Sequence, residues 1–373
     1  MSLGCRRLAT RTPLIRGRRI LVAGVALVVC LGVLGSTTGW HVAADSLPAR
    51  ISDKAFWQMV TKFSEPSGRF FSDNFMSNEN TFQYVIPELK KSQTPGGVYI
   101  GVGPEQNFTH LVALRPKAAF IIDIRRQNML EHLLYKALIE LSPDRAEFLS
   151  RLFSRKRLSR VGTTSTVEEL FAAYRGATAN RELFQQNLQA VRDLLVDYHG
   201  FTLTKDDLER IKYVYNEFYD HGPNMSYSLP GLAAPFPAYA ELMRETDGAG
   251  EHHGYLATEE NFRILQELQR NNIVIPLVGD FAGPKALRSV GRYLKEHGAT
   301  VTVFYTSNVE QYLRPSGTWS DFCGNVATLP LDKTSTFIRT VTSRRYGGQL
   351  GLNPELGNMA TEVKSCGSDD GHP

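Results

Sequence analysis

The sequence predicts an α/β fold with a doubly wound, mostly parallel sheet and a helical insert. Two strand–turn–helix units lead to this prediction. In the first, the apolar strand 98–100 enters a Gly-x-Gly turn, a helix follows, and a second buried strand ends at Asp123. In the second, the strand 272–280 ends in Gly-Asp, and a helix then leads to the strand 300–306. Buried strands that alternate with helices are typical of parallel sheets with right-handed crossovers.

The first unit has the residue types of a nucleotide or cofactor site. Gly101 and Gly103 allow the backbone to approach a ligand closely, and the following helix offers free N–H groups at its N-terminus. Asp123 comes 22 residues after Gly101, a separation typical of an acid that binds ribose hydroxyls. Two alternatives stay open. The glycines can form a tight turn without a ligand, and Asp123 can pair with Arg125 or Arg126.

The other candidate site residues follow from the same geometry. In an open α/β sheet, ligands bind at the carboxyl ends of the strands. The residues predicted to bind a cofactor are Gly101, Gly103, Glu105, Gln106, Asn107, Asp123, Arg125 and Asp280, and those predicted to bind a substrate are Tyr305, Asn308 and Tyr312. Asp280 can instead cap the turn before Gly283. No metal is predicted, because His252 and His253 have no acid or histidine at ligand spacing.

Several function classes are disfavoured by what the sequence contains. Gln106 stands where a dinucleotide site prefers a third glycine. Neither a P-loop pattern nor a Gly-x-Ser-x-Gly nucleophile elbow occurs. Six arginines and no acid lie in residues 1–44, so residues 45–373 carry 36 basic residues (42 − 6) and 38 acidic ones. This balance argues against a nucleic-acid partner and leaves a small molecule as the expected ligand.

Residues 1–44 are predicted to be a signal peptide or an N-terminal membrane anchor. An arginine-rich start precedes the apolar run 20–34, and small residues before Asp45 fit a cleavage site. The protein is therefore expected to be exported, periplasmic in the bacterial case, or anchored through residues 20–40, with no other contact to the membrane. A buried helix or a start codon further downstream is the alternative. Export would allow Cys323 and Cys366 to form a disulfide, and two unpaired thiols are equally compatible with the sequence.

The rest of the chain is divided by composition and periodicity. We predict lead-in helices at 45–95, the first half of the sheet domain at 96–141, a helical insert or cap at 142–257, the second half of the sheet domain at 258–346 and a flexible tail at 347–373. Apolar spacing predicts insert helices at 145–153, 167–174, 181–198 and 205–219. Ser142, Thr166 and Thr204 are the expected N-caps. A final strand pair is expected at 327–331 and 335–341.

A family resemblance adds to this interpretation. Residues 98–103 together with Asp123 resemble motifs I and II of class I S-adenosylmethionine-dependent methyltransferases, which have a Rossmann-like fold. Residues 274–280 resemble the later strand of these enzymes with its terminal acid. Tyr99 departs from the pattern, because many such enzymes carry an acid there. Four runs are also similar to a family of uncharacterised bacterial proteins with this fold: 101–109 (GVGPEQNFT), 120–126 (FIIDIRR), 305–313 (YTSNVEQYL) and 325–330 (NVATLP).

Two functions from different classes follow from these observations. The first is methyl transfer from S-adenosylmethionine to a small or medium acceptor, with Gly101, Gly103 and Asp123 at the cofactor and the insert over the acceptor. Such a reaction depends mainly on proximity and alignment. The second is a non-catalytic, exported or anchored protein that binds a nucleotide-like small ligand. The sequence leaves the acceptor and the oligomeric state open.

Overall fold

Six strands form one sheet in the computed structural model, which describes residues 45–93, 95–227, 236–344 and 350–366. The strands are β1 (Val98–Gly101), β2 (Ala118–Asp123), β3 (Val274–Val278), β4 (Val301–Ser307), β5 (Thr336–Arg344) and β6 (Leu350–Asn358). Their order across the sheet is β3-β2-β1-β4-β5-β6. All neighbours pair in parallel except β5 and β6, which are antiparallel. The predicted mostly parallel, Rossmann-like α/β sheet is confirmed.

The strand register explains why these segments are so apolar. Val98 of β1 lies opposite Ala118 on one side and Val301 on the other, and every residue of β1, β2 and β3 is buried. Strands buried on both faces need continuous apolar runs rather than alternation. Pro276 is tolerated within β3 because this strand lies at one edge of the sheet, where one side of the backbone has no strand neighbour.

The order of the strands reverses at β1, and this reversal positions the candidate site. The chain moves from β1 to β2 and β3 on one side, and β4 begins the other side. In parallel sheets of this kind, the crevice between the two sides is the usual ligand position. The carboxyl ends of β1, β2, β3 and β4 therefore meet at one edge, which we call the carboxyl edge.

Helices precede, connect and follow the strands. They are α1 (Asp53–Phe63), α2 (Ile86–Ser92), α3 (Gln106–Leu114), α4 (Arg126–Glu140), α5 (Arg145–Phe153), α6 (Val167–Arg175), α7 (Arg181–Arg192), α8 (Lys205–His221), α9 (Tyr239–Leu242), α10 (Glu259–Arg270), α11 (Ala286–Glu296), α12 (Glu310–Leu313), α13 (Trp319–Val326) and α14 (Met359–Ser365). Short 3-10 turns occupy Phe82–Val85 and Gly222–Asn224. None of the helices in the described ranges has the length and apolar composition needed to cross a membrane.

The helices predicted between 145 and 219 are present, with two differences in detail. Thr166 and Thr204 each close a capping box, accepting from the backbone N–H of Glu169 and Asp207. Asp144, and not Ser142, caps α5, because its carboxylate accepts from the Glu147 N–H at 2.8 Å. The helix expected at 181–198 is α-helical to Arg192 and continues as a π-helical turn at Asp193–Tyr198.

The C-terminal region differs most from the sequence prediction. The expected strand at 327–331 is an irregular segment after α13, and the final strand pair is β5 with β6. Residues 350–366, predicted as part of a flexible tail, form β6 and α14. The glycines and Pro354 of β6 give no strand signal, so pairing along the length of β5 determines its conformation.

The described residues between 45 and 366 form one compact unit, to which the lead-in and the insert both belong. Helix α1 buries Phe56, Met59 and Val60. The backbone N–H of Ile51 donates to the carbonyl of Asn271 at 3.0 Å, immediately before β3. The leader predicted at 1–44 lies outside the described residues.

A disulfide joins Cys323 of α13 to Cys366, the residue after α14, across 43 positions of sequence. The bond attaches the C-terminal helix to the helix that precedes β5. It settles the question that the sequence left open between a disulfide and two free thiols.

We expect Cys366→Ser to lower the free energy of unfolding by about 2–4 kcal/mol under oxidising conditions, because the unfolded chain loses a covalent loop constraint. Urea denaturation of the full chain measures this. Under reducing conditions the variant and the wild type should have nearly equal stability. A wild type whose stability is the same with and without reductant would contradict the prediction.

Candidate functional site

The Gly-x-Gly turn lies at the carboxyl end of β1, beside the reversal of strand order. A Cβ atom at Gly101 would lie 2.0 Å from Oδ1 of Asn107, so a larger residue does not fit there. Gly103 has a φ of +76°, in the left-handed region that favours glycine, and nothing lies within 4 Å of its Cβ position. Gly101 is thus required by the protein's own packing, whereas the side of the turn at Gly103 is open.

Asn107 and Tyr99 hold this turn in place. The Asn107 amide nitrogen donates to the carbonyls of Val102 at 2.9 Å and Pro104 at 2.7 Å, and its Oδ1 accepts from the Tyr99 hydroxyl at 2.8 Å. Both side chains are buried. Asn107 was predicted to bind a cofactor, and the structure shows its amide engaged with the turn. Tyr99, the residue that departs from the methyltransferase pattern, is engaged by this hydrogen bond to Asn107.

Asp123 ends β2 and forms a buried ion pair with Arg125. Its Oδ1 accepts from the Arg125 backbone N–H at 2.9 Å and from Nε at 3.0 Å, and its Oδ2 accepts from Nη2 at 2.8 Å. Arg125 also donates to the carbonyl of Asp73 and lies 5.8 Å from the ring centre of Phe70. Of the alternatives that the sequence left open, the pair with Arg125 is present, while Arg126 pairs with Asp207.

Residues 64–82, which we call the covering segment, run across the carboxyl edge. Glu65 lies at the start of α11, where its carboxylate accepts from the backbone N–H groups of Lys285 at 2.8 Å and Ala286 at 2.7 Å. Next along the segment, the N–H of Gly68 donates to the carbonyl of Ile124, just after β2, at 2.8 Å. The polar groups at the ends of β2 and β3 are therefore bound by the chain itself.

The covering segment places Glu79 at the reversal point between β1 and β4. Its buried carboxylate accepts from Gln106 Nε2 at 3.2 Å and from Thr340 Oγ1 at 2.6 Å. The hydroxyls of Ser307 and Tyr305 also bond to it. Burial raises the pKa of Glu79, although these four hydrogen bonds oppose the rise. Sequence analysis missed this residue because nothing local to positions 78–81 indicates a long-range partner.

The remaining predicted residues do not form one group. Tyr305 is buried and bonded within the Glu79 cluster. Tyr312 is 42% exposed, with its ring 5.5 Å from Phe70 of the covering segment, and Asn308 lies beside it. Asp280 accepts from the Ala282 N–H at 2.8 Å, which is the turn-capping role that the sequence left open.

Two buried acids, Glu105 and Glu131, lie close to the Gly-x-Gly turn. Glu105 accepts from the backbone N–H of Ser77 at a long 3.4 Å, and its Oε2 has no hydrogen-bond partner in the described part of the chain. Glu131 of α4 is fully buried, and neither carboxylate oxygen has such a partner. Burial raises the pKa of Glu105 to about 8, and burial together with the Glu105 charge raises that of Glu131. Glu131 was not predicted from the sequence, although an acid among the apolar positions of α4 could have indicated it.

Two cavities lie elsewhere in the described residues. One, of about 310 Å³, is bounded by α12, α13, β5 and α14 and contains Arg339, whose guanidinium pairs with Glu310 and Glu362. The other, of about 530 Å³, adjoins α9 and is lined in part by Phe236 and Arg244. Neither includes the Gly-x-Gly turn or Asp123.

The strand order, the left-handed glycine turn and the acid at the neighbouring strand end define an α/β protein of the Rossmann-like class. The chain belongs to the family described as "Domain of unknown function (DUF7790)", whose model matches residues 74–355. The match begins within the covering segment and ends in β6, so the family domain includes the sheet and the helical insert. A search of curated proteins finds no match. Neither comparison bears on methyl transfer, which stays a prediction.

We expect Glu79→Ala to lower the free energy of unfolding by at least about 2 kcal/mol, because it leaves buried amide and hydroxyl donors of Gln106, Ser307 and Thr340 without their acceptor. Urea denaturation measures the change. Glu88→Ala is the matched control, since Glu88 is exposed on α2 and its loss should cost no more than about 0.5 kcal/mol. Equal effects of the two substitutions would show that the Glu79 cluster is not stabilising.

The titration of Glu105 predicts a pH-dependent stability. Its pKa of about 8 in the folded protein exceeds the ordinary value of 4.5, so the folded chain keeps a proton that the unfolded chain loses above pH 4.5. The stabilising contribution is complete below about pH 4.5 and is lost as the pH rises towards 8. Between these limits the stability of the wild type should fall relative to Glu105→Gln by on the order of 1 kcal/mol per pH unit. Parallel stability curves for the two proteins would contradict this.

Proposed function

We propose that the protein binds S-adenosylmethionine at the carboxyl edge of its sheet and transfers the methyl group to a small or medium acceptor. The observation that carries the proposal is the juxtaposition of the left-handed turn at Gly103 with Asp123, at adjoining strand ends beside the reversal of strand order. Here a nucleoside ligand would lie with its ribose at Asp123 and its amino-acid end over the turn.

The local geometry supports this placement of the ligand. Helix α3 begins at Gln106, directly after the turn, so its first backbone N–H groups lie beside the open position at Gly103. Oδ2 of Asp123 accepts one hydrogen bond from Arg125, and a carboxylate oxygen can accept two. Asp123 can therefore accept from a ribose hydroxyl while it keeps the Arg125 ion pair. Among the other predicted cofactor residues, Asn107 holds the turn, and the side chains of Glu105, Gln106 and Arg125 bond to the covering segment.

The covering segment sets the condition under which a ligand enters. Asp123 is 5% exposed and lies beneath the region of Ser72 and Asp73, whose carbonyls accept from Arg125. A nucleoside can reach Asp123 only when residues 64–82 lift from the carboxyl edge. The bonds that must then break include hydrogen bonds at Glu65, Gly68 and Asp73 and those of the buried Glu79 carboxylate, and water can replace them while the segment is lifted. Closure over a bound ligand would exclude water from the reacting methyl group.

The second candidate is a non-catalytic protein, exported or anchored by residues 1–44, that holds a nucleotide-like ligand. The Cys323–Cys366 disulfide favours this function, because disulfides form and persist in oxidising compartments. S-adenosylmethionine is made in the cytoplasm, so an exported domain would encounter little of it. The two candidates share the binding site and differ in turnover, which a binding experiment followed by an activity screen separates.

We expect Asp123→Asn to weaken the binding of S-adenosylhomocysteine by tenfold or more, because a charge-assisted hydrogen bond contributes about 1.5–3 kcal/mol and about 1.4 kcal/mol is one decade. Isothermal titration calorimetry on the full chain measures the affinities. Asp206→Asn is the matched control, since Asp206 is exposed and pairs only with Arg210 among the described contacts of its side chain.

Three outcomes of this titration are informative. Weaker binding by Asp123→Asn with unchanged binding by Asp206→Asn supports the proposed site. Equal affinities of Asp123→Asn and the wild type remove Asp123 from it. No binding of S-adenosylmethionine or S-adenosylhomocysteine by the wild type, with binding of another nucleotide such as NAD, would replace the methyltransferase proposal by the second candidate.

A further inference from the structure

Unpaired polar atoms are concentrated between the start of α3 and the first half of α4. They are Glu105 Oε2, Asn128 Nδ2, Glu131 Oε1 and Oε2, and His132 Nδ1, all buried and without a hydrogen-bond partner in the described chain. The buried hydroxyl of Tyr135, which bonds to Tyr239, lies beside them. We call the first four residues together with Tyr135 the polar helix interface. Protein interiors leave few buried polar atoms unpaired, and a group of them calls for an occupant.

Helix geometry brings these side chains to one place. Asn128, Glu131 and Tyr135 are three and four residues apart, so they lie along one face of α4. Phe108, one turn into α3, has its ring centre 5.3 Å from that of Tyr135 and 5.5 Å from that of His132, so this face of α4 packs against α3. Glu105 precedes α3 on the same side. The charge of Glu105 raises the pKa of both Glu131 and Tyr135, as expected if the three side chains lie close together.

The polar helix interface is continuous with the proposed ligand site. Nε2 of His132 lies 2.9 Å from the carbonyl oxygen of Gly103. Because a carbonyl only accepts, Nε2 carries the hydrogen of the neutral ring and donates it. Burial lowers the pKa of His132 to about 4, which keeps the ring neutral. Nδ1 is then an acceptor without a partner. The polar helix interface therefore adjoins the turn at Gly103, the residue whose Cβ position is open.

The balance of donors and acceptors indicates what kind of group is missing. In the ionised state Glu131 offers two acceptor oxygens, and Glu105 Oε2 and His132 Nδ1 offer one acceptor atom each. In the protonated state, which burial favours, each acid carries one donor as well, beside the Asn128 amide. No lysine or arginine neutralises Glu105 or Glu131 through a described ion pair, and the nearby Arg125 is paired with Asp123. A group that brings several donors and a positive charge would satisfy this set. A metal ion fits less well, because no group of three or more suitable side chains is arranged for one among the described residues.

The other half of the same helix shows how buried charges are paired when the chain supplies both partners. Lys136 Nζ lies 2.6 Å from Glu140 Oε1 and also donates to the carbonyl of Gln269. His199 lies 3.0 Å from Glu140 Oε2. Buried acids and bases here satisfy one another, as buried charges generally must. Glu131 lacks such a partner, although it is on the same helix and more deeply buried than Glu140.

We propose that the polar helix interface binds the ammonium group at the amino-acid end of the ligand, with Glu131 as its main partner and Glu105 and His132 as further acceptors. This inference rests on the proposed function, because the nucleoside end of the same ligand is placed at Asp123. An ammonium group has three donors and one positive charge, which match these acceptors. When it binds, a carboxylic acid at this interface must ionise and release its proton.

The test compares two nucleosides that differ at the amino-acid end. S-adenosylhomocysteine carries the ammonium group, and 5′-methylthioadenosine lacks the amino-acid end. Calorimetry on the full-length wild type should show at least tenfold tighter binding of S-adenosylhomocysteine. Titration in two buffers of different ionisation enthalpy should detect a proton released by S-adenosylhomocysteine but not by 5′-methylthioadenosine. This readout needs no variant, so it holds even where a substitution prevents folding.

A matched pair of variants on α4 locates the effect. Glu131→Gln keeps the shape of the side chain and removes its charge. We expect it to weaken the binding of S-adenosylhomocysteine at least tenfold and to leave the affinity for 5′-methylthioadenosine unchanged. Glu140→Gln, on the same helix but paired with Lys136 and His199, should leave both affinities unchanged. Equal binding of the two nucleosides without proton release would overturn the inference, since ordered water alone would then fill the interface, and the proposed function would stand. No binding of either nucleoside would overturn the proposed function instead.

Discussion

The buried carboxylate of Glu79 connects parts of the chain that are far apart in sequence. It joins the covering segment to Gln106 at the start of α3, to Ser307 at the end of β4 and to Thr340 of β5. Gln106 and Thr340 are buried and Ser307 is half-buried, and their donors would lose this acceptor if Glu79 were absent. A parallel sheet places polar groups at this edge whatever its function. This protein satisfies them with residues 64–82, and the position of the whole lead-in depends on that requirement.

The protein's own residues bond to the polar groups at the carboxyl edge. These groups are therefore not free to neutralise the charge of a ligand. The acids at the carboxyl edge are already bonded, such as Asp123 with Arg125 and Glu65 of the covering segment with the start of α11. The acids with unpaired oxygens, Glu105 and Glu131, lie between the start of α3 and α4. The edge therefore offers shape and hydroxyl acceptors, and the helix pair offers compensation for positive charge. A sulfonium cofactor with an amino-acid end needs both kinds of group.

The parts of the fold that follow from local pattern were predictable from sequence. Continuous apolar runs, the Gly-x-Gly turn and the capping threonines Thr166 and Thr204 gave the strands, the turn and the insert helices, because each depends on residues a few positions apart. Strand β6 was not predictable, since Leu350–Asn358 is rich in glycine and polar residues and forms by pairing with β5.

The candidate site divides in the same way. The spacing of Gly103 and Asp123 predicted their positions at neighbouring strand ends, and their role as ligand residues stays a prediction. Asn107 and Tyr305, also predicted to bind a ligand, are hydrogen-bonded within the chain. It missed Glu79 and Glu131 because their environments come from contacts across 27 to 261 residues and from burial within a helix pair. Local patterns do not reveal whether a buried acid has a partner.

Hydrogen–deuterium exchange of the full chain, with and without saturating S-adenosylmethionine, tests the central claim most directly, because exchange reports the local opening of backbone hydrogen bonds. The account predicts slower exchange at 98–107 and 123–131, where the turn and the start of α4 contact the ligand, and altered exchange at 64–82, which must lift and close again. The helices of the insert from 145 to 221 should be unaffected. Unchanged exchange at the turn and at α4, with or without changes elsewhere, would contradict a ligand site at the carboxyl edge.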